Sequence, residues 1–228
     1  MKAVLQHGSL NVNFSAPRHR DRHHCLPQLI HFIWTGSVLP NKCFSNLETF
    51  SEKLQDYEVW LWLDVLPSRE LPNVVCKQLG DLSFVTHEIL SNISSPVERG
   101  DIMRYEVVYQ FGGIYVDVDM ICQRQFDELQ SVSFVSHTLG VYNNIQNAMF
   151  GFPAGAHFLK YVLSCVIQNY GKFHAKNDGF LPNRAGPPFF TACFHQFGDD
   201  KVIMVDQDLL MGSKGDSYVY HKLDFTWQ

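Results

Sequence analysis

Asp117 and Asp119 stand two residues apart at the end of the run DIMRYEVVYQFGGIYVDVD, residues 101–119. A pair of hard oxygen ligands at this spacing suits Mg2+ or Mn2+ held against a phosphate. A calcium loop would need a third oxygen residue, a glycine and a distal glutamate at fixed spacing, and Met120-Ile121-Cys122 supplies none of them. Upstream, Asp101 and Arg104 lie three residues apart, so on a helix they share a face. They can meet one ligand there or brace the structure as an ion pair. Glu98 and Arg99 are expected to form surface pairs with no catalytic part, and His31, inside an apolar run, is read as a core histidine.

These groups need elements to aim them. Ile114, Val116 and Val118 alternate with Tyr115, Asp117 and Asp119, which predicts a strand running through Asp119. Its aliphatic face should enter a core, and Tyr115 and the aspartates a cleft. Ile102, Met103, Val107, Val108 and Phe111 recur at helical spacing, and Gly112-Gly113 can end that helix in a left-handed turn. Residues 28–34 predict a buried first strand closed by Thr35-Gly36-Ser37, residues 44–55 a helix, 57–63 a second strand and 82–87 a third. Such alternation is the rhythm of a mostly parallel α/β sheet flanked by helices, whose ligands bind beyond the carboxyl ends of its strands. Further on, 133–139, 145–153 and 201–205 read as strands and 155–170 and 189–197 as helices, with a loop-rich stretch from Gly171 to Pro188.

Composition bounds the rest. A chain of 228 residues at 46% hydrophobic and 14% aromatic can bury a sizeable core. Residues 27–228 are expected to form one domain, preceded by a tail or flank over 1–26 that holds the basic run RHRDRHH at 18–24. A formal charge of −5 and a pI near 6.1 disfavour a nucleic-acid partner. Six cysteines without a CxxC pair argue against structural zinc and for a reducing compartment. No apolar run reaches about 18 residues and residues 1–20 lack the apolar centre of a secretion signal, so no transmembrane segment is expected. The expected location is cytoplasmic, with peripheral attachment at the membrane face or a secreted effector also compatible.

Several blocks of the chain resemble the DXD-containing glycosyltransferases, the group that includes fungal chain-initiating mannosyltransferases and the glucosyltransferase domain of large clostridial toxins. Pro27 to Gly36, PQLIHFIWTG, looks like the family's opening strand. Asp101-x-x-Arg104-Tyr105 followed by Gly112-Gly113-Ile114-Tyr115-x-Asp117-x-Asp119 looks like its central signature. Asn147-Ala148, Gly186-Pro187, and His221 followed by Thr226-Trp227 resemble later motifs, with threonine where the family has serine.

The resemblance implies a GT-A fold and a retaining transfer of a hexose from a nucleotide sugar, UDP-hexose before GDP-mannose, with Mn2+ or Mg2+ as cofactor. The acceptor would be a glycan, a lipid-linked saccharide or a protein hydroxyl. It also implies roles. Asp119 is the first choice for the metal, with His221 and Thr226 completing its shell, and Asp117 supports it through the ribose or a water. Asp101 accepts from sugar hydroxyls, Arg104 meets the sugar or diphosphate, Trp34 beside Ile33 stacks on the nucleobase, and Tyr115, Asn147 and Trp227 contact the donor. The tail that holds Thr226 and Trp227 would act as a lid that excludes water. No carboxylate is identifiable for a double displacement, so a front-face substitution is preferred. Two other readings fit parts of the pattern: a haloacid-dehalogenase-like phosphatase using Asp117, Asp119 and Gly198-Asp199-Asp200, and a catalytically silent nucleotide-sugar-binding module.

Overall fold

A computed structural model describes residues 4–5, 25–68, 71–138, 144–175, 182–198, 201–212 and 215–223. The chain enters with β1 (Val4–Leu5), β2 (Leu29–Trp34), α1 (Asn41–Lys53), β3 (Glu58–Leu63) and β4 (Val74–Gln78). After a short 3-10 turn it continues through α2 (His87–Leu90), α3 (Pro96–Phe111), β5 (Gly113–Val116), β6 (Met120–Cys122), β7 (Phe134–His137) and β8 (Ile145–Phe152). It closes with α4 (His157–Ala175), α5 (Pro182–Ala185), α6 (Pro187–Phe197), β9 (Ile203–Asp206), α7 (Gln207–Met211) and β10 (Val219–His221).

Eight strands form one sheet in the order β1-β9-β7-β8-β5-β2-β3-β4, and β6 pairs with β10 in a separate two-stranded sheet. All neighbours in the large sheet are parallel except the two pairs that β8 makes. The expected mostly parallel α/β architecture is therefore present. Each face of the sheet carries its own core. On one side Ile30, Phe32, Ile114 and Val116 pack with α1, α7 and the small sheet; on the other Ile33, Tyr115, Val135 and Phe150 pack with α3, α4 and α6. No helix among the described residues is long and apolar enough to cross a membrane, and the six cysteines are free thiols.

Two expectations need correcting. The third strand lies at Val74–Gln78 and not at 82–87, where the chain runs through a loop into α2. Val74–Gln78 is short, half-exposed and on the sheet edge, so it lacks the apolar signal of a buried strand. Much of the stretch from Gly171 to Pro188 is helical: α4 continues to Ala175 and α6 starts at Pro187, whose fixed φ suits a first helical turn.

The strand order reverses between β2 and β5. From β2 the chain builds outward through β3 and β4, whereas β5 begins the half that holds β8, β7 and β9. Ligands of open α/β sheets bind at such a switch, beyond the carboxyl ends of the strands. His31 is level with Tyr115 across the β2–β5 pair, so Trp34 and Asp117 leave the sheet at one rim.

Candidate active site

Helix α3 and strand β5 aim the central residues. Ser95 caps the helix through the Glu98 N–H at 3.4 Å, and Pro96 follows in the first turn. At the other end Gly112 closes the helix at φ 67°, ψ −172°. That is an extended positive-φ conformation rather than the expected left-handed helical turn, and it suits glycine alone. Gly113, at φ 97°, would place a Cβ 2.6 Å from the Leu29 carbonyl oxygen, so β5 approaches β2 only because this position lacks a side chain, while a Cβ at Gly112 would meet the Ala154 amide nitrogen at 2.6 Å.

The strand stops at Val116, and Asp117 to Asp119 form a turn, not the expected strand end. The Asp117 N–H makes a last bond to the Ala148 carbonyl at 3.0 Å, and the Met120 N–H then closes the turn on the Asp117 carbonyl at 3.2 Å. Val118 follows Ile114 and Val116 into the core as the alternation predicts. Tyr115 does not enter the cleft. It is buried in the opposite core, and its hydroxyl donates to Asp117 Oδ1 at 2.7 Å. Asn46, a buried polar residue on α1 that no motif marks, holds the turn by donating to the Val118 carbonyl at 2.9 Å; its Oδ1 accepts from Lys222 Nζ at 2.8 Å.

Arg104 is the hub. Its guanidinium reaches Asp101 Oδ1 at 3.1 Å, and Asp117 Oδ1 and the Asn147 carbonyl at 3.0 Å each. It also lies over the Tyr115 ring, 4.6 Å from the centroid. Burial opposes the Arg104 charge, but Asp117, Tyr115 and Asp101 outweigh it, so its pKa stands above the ordinary value. Asn147 donates to Asp101 Oδ1 and to the Tyr105 hydroxyl, both at 2.9 Å, and Tyr105 donates to the Ala185 carbonyl at 2.6 Å. Tyr105 thus ties the network to α5, a role its place in the signature did not reveal. The Asp101–Arg104 pair joins a larger polar network and is not an isolated brace.

Asp119 is 7% exposed and lies 3.2 Å from His221 Nε2, brought in because β10 pairs with β6 and sets His221 opposite Met120. Ligand atoms of Asp117, Asp119 and His221 all lie within 4.8 Å of one another. Burial pushes the Asp117 carboxyl up, Arg104 pulls it down, and the Asp119 charge pushes it up again. Two crowded carboxylates and an imidazole are a donor set that a divalent cation fits, with the oxygens favouring Mg2+ or Mn2+ and the imidazole favouring Mn2+ of the two. Thr226 and Trp227 lie outside the described residues, as do residues 18–24 and Asp199-Asp200.

Trp34 is half-buried at the end of β2, its indole N–H donating to Ser37 Oγ at 3.2 Å, while the Ile33 side chain is buried in the core. His31 is a satisfied core histidine: Nδ1 accepts from Trp62 Nε1 at 3.1 Å and Nε2 donates to the Gly112 carbonyl at 2.8 Å. Glu98 is not a surface residue. It is 2% exposed and lies 3.6 Å from Arg184, while Arg99 pairs with Asp64 at 3.4 Å.

A mostly parallel sheet with an acidic turn at its switch point is the layout of the GT-A glycosyltransferase fold. The PaToxG glycosyltransferase superposes with a TM-score of 0.60 at 20% identity, covering 77% of this chain and 70% of that one. The UDP-bound glycosyltransferase domain of the YGT toxin superposes with a TM-score of 0.61 at 10% identity, covering 79% and 80%. Residues 40–136 match the family described as the glycosyltransferase sugar-binding region containing the DXD motif. Curated relatives include a mannosyl phosphorylinositol ceramide synthase of Saccharomyces cerevisiae, 26% identical over 75% of this chain and 43% of its own length. Inositol phosphoceramide mannosyltransferase 3 of Schizosaccharomyces pombe is 29% identical over 65% and 38%. A Legionella pneumophila protein, subversion of eukaryotic traffic protein A, is 24% identical over 62% and 25%. The chain thus spans less than half the length of these relatives. The comparisons give the phosphatase reading no support.

Proposed function

We propose that residues 27–228 act as one metal-dependent, retaining glycosyltransferase unit that moves a hexose from a nucleotide sugar to an acceptor hydroxyl. The observation that carries this is the convergence of Asp117, Asp119 and His221 within 4.8 Å beside the Asp101–Arg104–Asn147 network. UDP-hexose is the first donor. GDP-mannose is the second, because the Schizosaccharomyces pombe relative is named as a mannosyltransferase.

A divalent cation held by Asp117, Asp119 and His221 would neutralise charge on the leaving diphosphate. Trp34 offers a ring face to the base at the end of β2. Arg104, fixed by Asp101, Asp117, the Asn147 carbonyl and, through Nε at 3.4 Å, the Gly100 carbonyl, presents its remaining N–H to the sugar or diphosphate without having to reorganise. Asp101, oriented by Arg104 and Asn147, accepts from hydroxyls of the hexose. No carboxylate is assigned beneath the anomeric carbon, so the incoming hydroxyl attacks from the face the diphosphate leaves and retains the configuration.

Thermal unfolding with UDP, GDP and their hexose conjugates, with and without Mn2+, tests the reading. One nucleotide series should raise the midpoint only when Mn2+ is present, by about 3 kcal/mol of added stability at a ligand excess near a hundredfold over Kd. Asp119→Ala should abolish that shift. Absence of any nucleotide response in the native chain, or an undiminished Mn2+-dependent shift in Asp119→Ala, would overturn it.

A further inference from the structure

The sheet sets an order along its ligand-bearing rim. Trp34 closes β2, Asp117 follows β5, Gln146 and Asn147 open β8, His137 and Thr138 lie at the end of β7, and Asp206 and Gln207 join β9 to α7. Neighbouring strands stand about 4.8 Å apart, so the end of β7 lies about 10 Å along the rim from β5. With the base at Trp34 and the diphosphate at Asp117, the hexose falls near Asp101 and Asn147. The acceptor then comes from the β7 and β9 side.

A neutral polar cluster stands there. Thr138 Oγ1 donates to Gln207 Oε1 and accepts from Gln146 Nε2 at 3.3 Å. The Gln146 side-chain Oε1 and the Gln207 side-chain Nε2 make no hydrogen bond to the described residues, and all three side chains are half-buried. Beside them His137, only 7% exposed, keeps a buried Nδ1 without a hydrogen-bond partner. One free amide acceptor and one free amide donor, bridged by a hydroxyl, match adjacent ring hydroxyls, each of which both donates and accepts. A lone serine or threonine hydroxyl on a peptide brings a single donor hydrogen and a single oxygen, so neighbouring ring hydroxyls, with two of each, satisfy the two amides and the bridging hydroxyl more fully. The cluster carries no charge to draw a phosphate or carboxylate.

We propose that Gln146, Thr138 and Gln207 form the acceptor subsite, and that the acceptor presents a ring with neighbouring hydroxyls, a sugar or an inositol. The inference rests on the glycosyltransfer reading above.

The full chain, with Mn2+ and whichever nucleotide hexose stabilises it, would be offered methyl α-mannopyranoside, myo-inositol and a serine peptide, with products read by mass spectrometry. One of the two polyols should take the hexose, and which one does separates a saccharide from an inositol headgroup. Gln146→Ala and Gln207→Ala should each raise the acceptor KM about five- to tenfold, the loss of one hydrogen bond, with the donor KM unchanged. Thr138→Val should act likewise and Thr138→Ser should restore the wild-type value, a rescue that a packing role would not give. Transfer to the serine peptide alone, or acceptor KM values unmoved by all three substitutions, would overturn the subsite. Failure of the native chain to bind any nucleotide hexose is a separate result that removes the glycosyltransfer reading itself.

Discussion

Arg104 does by geometry what its charge alone would not. Acceptors on α3, on the turn after β5 and on β8 surround one planar fork, and a lysine ammonium cannot span them. Arg104→Ala would leave Asp101 and Asp117 without their shared cation, a loss of about 3–5 kcal/mol for a broken buried pair, so it confounds folding with function. Arg104→Lys is the cleaner probe. It should keep the fold while lowering kcat about a hundredfold, the scale expected when one preorganised donor is lost. A kcat within twofold of wild type would show that Arg104 only braces the helix. Asp101, Arg104, Asp117 and Asp119 were readable as a set because their types and spacings carry the chemistry. Asn46 and Tyr105 were not, since a single asparagine on an amphipathic helix and a tyrosine in a buried one look like ordinary helix residues until the turn and α5 are placed against them.

At the scale of elements, the helix-to-strand junction is the tightest joint in the molecule. Gly113→Ala would combine a strained positive φ with a Cβ 2.6 Å from backbone oxygen. It should cost about 3 kcal/mol and lower the unfolding midpoint by about 6–12 °C. Gly155→Ala is the control: also at positive φ, but with open space around it, it should cost only about 1 kcal/mol. Equal losses from the two would mean that the contact with Leu29 is irrelevant. The glycine pair, the buried first strands and the long helices were legible because period and punctuation agree there. The edge strand at Val74–Gln78 and the three-residue strands β6 and β10 were not, because their identity is fixed by partners distant in the chain and not by local pattern.

For the whole molecule, the sheet's centre imposes a pH limit. Burial lowers the His31 pKa from 6.5 to about 4, so the neutral ring that bridges Trp62 and Gly112 belongs to the folded state. The folded value lies below the unfolded one. The contribution is therefore complete above pH 6.5 and is lost as pH falls towards 4, by about 3 kcal/mol in all. Urea unfolding between pH 7 and 4 should show this slope, and His31→Gln should flatten it; an unchanged slope in that variant would assign the acid sensitivity elsewhere. The turn at Asp117–Asp119 has a different reach. The third member of its proposed donor set, His221, comes from more than a hundred residues downstream and takes its place only when β10 docks on β6. A chain emerging from the ribosome can therefore assemble most of its sheet before His221 reaches the turn. Were Asp117, Asp119 and His221 to hold a cation as proposed, loading it would report that β10 has docked on β6.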